Sequence, residues 1–167
     1  MSININGLND DFYRYKMDKM IITLGGNGNG LYTTINNIES ISKSINTPSI
    51  IVLKYIASNL GSNYNENKKK FSGHHKIDIL QNILYQYINT FVLCNNCNIP
   101  ELSYKIEIPN TMCNCSACGN SININTIVNN KIDLKVVDLI NKYLEKEKKW
   151  IQIKGNMVFA IEDEFMF

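Results

Sequence analysis

Two Cys-x-x-Cys pairs, Cys94 with Cys97 and Cys115 with Cys118, lie 17 residues apart and constrain this chain more than anything else in it. Each pair makes a tight turn that points two sulfurs at one centre. Two such turns complete a tetrahedral four-sulfur site, and the strands between them close a zinc ribbon. Four thiolates leave no open position for water, so the site is read as structural. Zinc fits the ligand softness and geometry, with iron as the alternative. The bland reading is four buried free thiols, and the paired spacing argues against it. Gly119 follows the second pair, where a residue with positive φ is often wanted. Cys113 stands outside the two pairs, and using it in place of Cys115 would spoil the second one. It is expected to be a spare thiol whose replacement by Ser is nearly silent. His74 and His75 are expected in a turn, since four sulfurs already satisfy the ion.

The length of 167 residues suits one domain or two small ones, and 44% apolar content permits a packed core. A net charge of +2 excludes a polycationic nucleic-acid arm. The lysine runs at Lys68, Lys69, Lys70 and at Lys146, Lys148, Lys149 read as solvated surface. Asn and Ile are over-used in a way that AT-rich coding would produce, and such coding also enriches Lys. No basic stretch followed by an apolar one opens the chain, so no secretory signal is expected. No apolar run approaches the roughly 20 residues that cross a bilayer. Paired thiols without a disulfide framework fit a reducing, cytoplasmic location.

Hydropathy then orders the rest. Residues 1–18 form a polar and aromatic leader. Residues 20–24 and 31–35 read as two strands of a hairpin, joined by the glycine-rich loop of residues 25–30 with a flexible tip. Ile35, Ile38, Ile41 and Ile45 place a helix near residues 36–45. A second helix occupies residues 50–60 and closes at Gly61. Residues 62–70 are polar, Phe71 suits a short strand, and residues 72–75 make a turn. Ile77, Leu80, Ile83, Leu84, Tyr87, Ile88 and Phe91 trace one face of a long helix that runs into Cys94. Leu134, Val137, Ile140, Tyr143 and Leu144 mark a last amphipathic helix. A tail from Lys146 carries Trp150 and ends in an acidic-aromatic string over residues 161–167, read as a last strand or a disordered end.

Several strings occur in one order: DDFYRYKM at 10–17, GNGNGLYT at 26–33, LKYIASNLG at 53–61, SGHH at 72–75, FVLCNNC at 91–97 and CSACG at 115–119. In this the chain resembles the N-terminal domain of eukaryotic translation initiation factor 5, from Met1 to about Lys131. The ribbon and the unit before it are similar to the beta subunit of initiation factor 2 as well, and the FYRYKM leader favours factor 5. The resemblance implies an α+β fold. A small α/β unit similar to initiation factor 1 spans residues 1–91 with its linker helix. A zinc ribbon spans residues 92–131, and a C-terminal helix and tail span residues 132–167. It also implies a GTPase-activating role, in which the chain is no enzyme itself but acts on initiation factor 2.

The position matching the family's leader arginine is Arg14, implied to act in trans on GTP held by the gamma subunit. A fixed, permanently charged guanidinium suits charge on a transferring phosphoryl group. Without the resemblance Arg14 is a surface residue stacking on aromatics. The implied partners are the gamma and beta subunits of initiation factor 2, initiator tRNA, the small ribosomal subunit and the mRNA start codon, with no membrane. Gly25, Asn27, Asn29 and Gly30 fall in the loop that the family brings near codon and anticodon, and Lys54 matches a basic position of the family. Glycine allows close backbone approach and Asn supplies hydrogen bonds, whereas the bland reading is a hairpin turn.

No Gly-Lys-Ser/Thr follows the loop, so the chain itself is expected to bind no nucleotide. Asn27 and Tyr32 stand where family members carry lysines, which weakens electrostatic attraction to RNA. The family's helical C-terminal domain has no counterpart in this sequence, so weaker binding to the beta subunit is expected. Two other functions stay open. One is a binding module of the translation machinery without GTPase stimulation, either beta-subunit-like or a competitor. The other is a generic zinc-ribbon nucleic-acid binder.

Overall fold

The computed structural model describes residues 2–107 and 110–163, with side chains up to residue 147. The described elements are mixed, four helices with three antiparallel sheets, as the α+β reading expects. The leader contains strands that its polar composition hides. β1 (Ser2–Asn4) pairs with β2 (Lys16–Asp18), setting Ile3 opposite Met17. Three residues per strand are too few for an alternation pattern. Ile5 and Met17 are nevertheless buried, so the pair is pinned to the core.

The hairpin forms as β3 (Ile22–Gly25) and β4 (Tyr32–Ile35), and its tip folds into one 3-10 turn at Gly28–Gly30. Two short strands extend the sheet in the order β3-β4-β6-β5: β5 (Tyr64–Asn65) and β6 (Lys70–Ser72). Phe71 anchors them, fully buried with its ring 4.9 Å from that of Tyr64. β5 lies within the stretch read as merely polar. α1 (Ile38–Ser44) buries Ile38 and Ile41. α2 (Ser49–Leu60) starts after Pro48, whose fixed φ suits a helix entry, and stops at Gly61 with φ +61°.

α3 (Ile77–Phe91) matches its expected span and buries Leu80, Ile83, Leu84, Tyr87, Ile88 and Phe91 on one stripe. Tyr87 and Phe91 stack at 5.1 Å, and Tyr55 of α2 meets Tyr87 edge-on at 5.2 Å. This aromatic cluster seats α3, and so fixes where the chain enters the first cysteine pair. The ribbon follows as β7 (Leu102–Glu107), β8 (Asn110–Cys115) and β9 (Ser121–Asn123), with β8 central.

α4 (Lys131–Asp163) runs well past the residue-144 end that its apolar face suggests. Residues 145–149, Glu-Lys-Glu-Lys-Lys, are strong helix formers and contain no stop signal. Asn130 caps the start, its Oδ1 accepting from the backbone of Ile132 at 3.0 Å and Asp133 at 2.8 Å. Val136, Val137 and Ile140 join one apolar cluster that is continuous from Ile5 through both earlier segments. The side chains of Trp150 and of residues 161–163 lie outside the described residues, as do residues 164–167 altogether, while the backbone of residues 161–163 continues α4 and forms no last strand. Among the described residues no helix is long and apolar enough to cross a membrane.

Candidate functional site

The four paired thiols converge. The Sγ atoms of Cys94, Cys97, Cys115 and Cys118 all lie within 4.8 Å of one another. Cys94 and Cys118 are 3.7 Å apart, as are Cys97 and Cys115, so each close pair joins the two turns. The turns repeat one backbone design. Cys94 O accepts from Asn98 N at 2.8 Å, and Cys115 O accepts from Gly119 N at 2.9 Å. Cys94 N donates to Ile99 O at 3.0 Å, and Cys115 N donates to Asn120 O at 2.9 Å. The residue after each pair is left-handed, Asn98 at φ +55° and Gly119 at φ +71°. Gly119 meets the expectation for its position, and Asn98 is its counterpart, since Asn tolerates this region better than other side-chain-bearing residues.

Asn96 supplies amide donors to two of the sulfurs. Asn96 N points at Cys94 Sγ at 3.4 Å, and Asn96 Nδ2 at Cys118 Sγ at 3.6 Å. The Asn96 amide and the Asn120 backbone hold the exposed Cys118 thiol low, at about 6. The arrangement can hold a metal ion on four sulfurs. Neither histidine takes part: His74 Nε2 pairs with Gly25 O and His75 Nε2 with Ser72 O, as turn residues would.

Cys113 stands outside this cluster, as a spare thiol would, but its burial argues against a silent replacement. β8 buries Thr111, Cys113 and Cys115 on one face, and Cys113 is wholly enclosed in the core. Burial pushes its thiol up to about 12. Hydropathy does not carry this signal, because the stretch Thr-Met-Cys-Asn-Cys puts polar Thr111 on the buried face and apolar Met112 on the other.

Arg14 lies on the loop of residues 5–15 that joins β1 to β2, exposed, with its guanidinium 5.9 Å from the Tyr15 ring centre. The loop is fixed from within. Asn4 Nδ2 donates to Leu8 O at 2.6 Å and Asp10 O at 2.7 Å, and Lys16 Nζ donates to Asn4 Oδ1. Phe12 N donates to Asp10 Oδ1 at 2.9 Å. Tyr15 ties the loop to the ribbon, its hydroxyl donating to Glu101 Oε1 at 2.9 Å. Glu101 O in turn accepts from Ser116 N, inside the second cysteine turn, at 3.0 Å. Asn4, Lys16 and Glu101 gave no signal in the sequence, because their roles depend on loop closure and on a contact 86 positions away.

The glycine-rich loop is compact. Gly30 N closes on Asn27 O at 3.0 Å, and Asn27, Asn29 and Gly30 are exposed. Gly26 has φ +88°, and a Cβ there would meet Gly30 O at 2.0 Å, so only glycine fits. Gly25 O is held by His74 at 3.1 Å. Lys70 of β6 sets its ammonium 3.4 Å from the Tyr32 ring centre, which returns one positive charge to the loop's base. Lys54 is elsewhere engaged. It pairs with Glu66 at 2.8 Å and lines a groove with Lys135 and Lys142. Among the described residues no ion pair or hydrogen bond joins Lys54 to the loop.

An α/β unit with a helix leading into a four-thiol ribbon defines a class of domain, and comparison with known proteins narrows it. Residues 6–121 match the family described as a domain found in initiation factors 2B and 5, and the chain belongs to that family. It is 37% identical over 129 residues to eukaryotic translation initiation factor 5 of Caenorhabditis elegans, covering 74% of this chain and 30% of that protein. With the factor 5 of Saccharomyces cerevisiae it shares 38% identity over 125 residues, covering 71% of this chain and 31% of that protein. A probable eukaryotic translation initiation factor 5-2 of Arabidopsis thaliana is 33% identical over 162 residues, covering 89% and 37%. The chain thus spans about a third of the length of the relatives it matches.

Proposed function

We propose that this chain is a translation initiation factor of the cytoplasm that stimulates GTP hydrolysis by initiation factor 2 in the preinitiation complex and contributes to start-codon recognition. The observation that carries the reading is Arg14, exposed on an internally fixed loop of a domain in this family. A guanidinium held ready costs little ordering when it meets the phosphoryl group, and its charge stabilises the transition state more than the ground state. The nucleotide and its binding energy reside on the gamma subunit. The beta subunit, initiator tRNA, the small ribosomal subunit and the mRNA start codon complete the partner set. Asn27, Asn29 and the backbone of Gly25 and Gly30 face the codon side, with Lys70 supplying charge beside them. Lys54, paired with Glu66, reaches RNA only by giving up that ion pair.

The metal in this reading is zinc, held by Cys94, Cys97, Cys115 and Cys118 as a structural ion. The 3.7 Å sulfur separations agree with the edge of about 3.8 Å of a tetrahedron with zinc–sulfur arms of about 2.3 Å.

The test is single-turnover GTP hydrolysis in assembled initiation complexes with and without the chain. Faster hydrolysis on addition is expected. Binding without acceleration would instead favour the binding module without GTPase stimulation, beta-subunit-like or a competitor.

A further inference from the structure

Phe12 is 98% exposed and Leu8 66% exposed, the two most exposed large apolar side chains among the described residues. Both sit on the Arg14 loop. Elsewhere the leader does place its hydrophobes: Ile5 and Met17 are enclosed, and Tyr13 and Tyr15 pack against the core. The two outward side chains are therefore not a consequence of a loose segment. Asn4 Nδ2 holds the carbonyls of Leu8 and Asp10 together, Asp10 Oδ1 receives Phe12 N, and Asp10 O receives Tyr13 N at 3.3 Å. One hydrogen-bonded loop thus exposes a phenyl ring and a leucine on the same segment that exposes Arg14. Such a ring gains nothing for folding. It gives a partner about the largest apolar contact a single residue can, with only two rotatable bonds to order.

We propose that Phe12, assisted by Leu8, is the apolar anchor that docks this chain on its partner GTPase and brings Arg14 to the nucleotide. The proposal rests on the GTPase-activating reading above. The partner surface it requires is an apolar recess next to an anionic centre, matching a ring and a cation two residues apart. Hydrophobic contact supplies affinity there, and Arg14 supplies charge where the phosphoryl group reacts. An interface of this kind concentrates its binding free energy in one central aromatic residue.

The experiment titrates the intact chain, Phe12→Ala and Phe12→Leu against GTP-loaded initiation factor 2 carrying initiator tRNA. Melting temperature, metal content and single-turnover hydrolysis are recorded for each. Phe12→Ala is expected to raise Kd by about 10-fold or more, and Phe12→Leu by less. Melting temperature and metal content should match the parent, because Phe12 has no part in the core. At saturating concentration Phe12→Ala should regain the parent's hydrolysis rate, which separates an anchor from a reacting group. An Ala variant with the parent's Kd overturns the anchor while leaving the GTPase reading intact. A parallel titration against a single-stranded RNA oligonucleotide overturns the anchor too if the loss appears there alone, which would make Phe12 a base-stacking residue. A parent chain that binds no GTPase overturns both readings.

Discussion

Five cysteines separate into two chemical roles at the residue scale. The four paired thiols face one another, while Cys113 faces the core from two positions before Cys115 on the same strand. Replacing any one of Cys94, Cys97, Cys115 or Cys118 by Ser should abolish stoichiometric zinc and unfold the ribbon, since structural zinc contributes on the order of 10 kcal/mol to small modules. Cys113→Ser should retain one zinc per chain yet lose about 1–3 kcal/mol, because a hydroxyl is then buried in an apolar site. Metal analysis and denaturant titration of the five variants check both. Equal zinc loss from Cys113→Ser would mean that the ligand register is wrong. The pairing was legible because Cys-x-x-Cys spacing is itself a geometric constraint. The burial of Cys113 was not legible, because residues 111–115 lack a clean apolar alternation and a thiol left over from a metal motif draws attention to its chemistry and away from its packing.

The three interior helices follow their apolar periodicity, since burial on one face is what forms them. β1, β2 and β5 escaped notice because strands of two or three residues are held by partners distant in sequence and by side chains such as Asn4. α4 exceeded its apolar stripe because helix propensity continues where burial ends. Its first turn holds a buried carboxylate: Asp133 is 7% exposed, accepts from Asn130 Nδ2 at 2.6 Å, and its Oδ1 has no partner among the described residues. Burial raises its pKa. The native state therefore binds more protons than the unfolded chain between the unfolded value, about 3.9, and the raised folded value. Stability falls as pH rises through that window, and the cost is complete above it. Asp133→Asn keeps an acceptor for Asn130 and removes the charge. Its stability relative to the parent should improve from pH 4.5 to pH 7.5 in paired denaturant titrations. A relative stability that declines over that range would contradict the burial argument.

In the whole molecule the four-thiol cluster and the leader are joined by hydrogen bonds. The path runs from the second cysteine turn through Ser116 N to Glu101 O, then from Glu101 Oε1 to the Tyr15 hydroxyl, beside Arg14. Tyr15→Phe removes that donor at a cost of about 1 kcal/mol. It should speed amide hydrogen exchange in the leader while leaving zinc content unchanged, and unaltered exchange would show that the loop holds itself without the ribbon. Nothing in the leader's sequence announces this bridge, although the resemblance to the family located Arg14 and the order of the parts. The function proposed above requires that arginine to arrive, exposed, at a nucleotide held by the partner. The direct test is single-turnover GTP hydrolysis at saturating concentrations of the parent, Arg14→Ala and Arg14→Lys, with Kd measured in parallel. Both variants should bind within about twofold of the parent and lose most of the stimulation, a loss of up to roughly 10³–10⁵ where no other charge substitutes. Lysine should fail because an ammonium lacks the planar fork. An Arg14→Ala chain that stimulates hydrolysis as well as the parent would contradict the account.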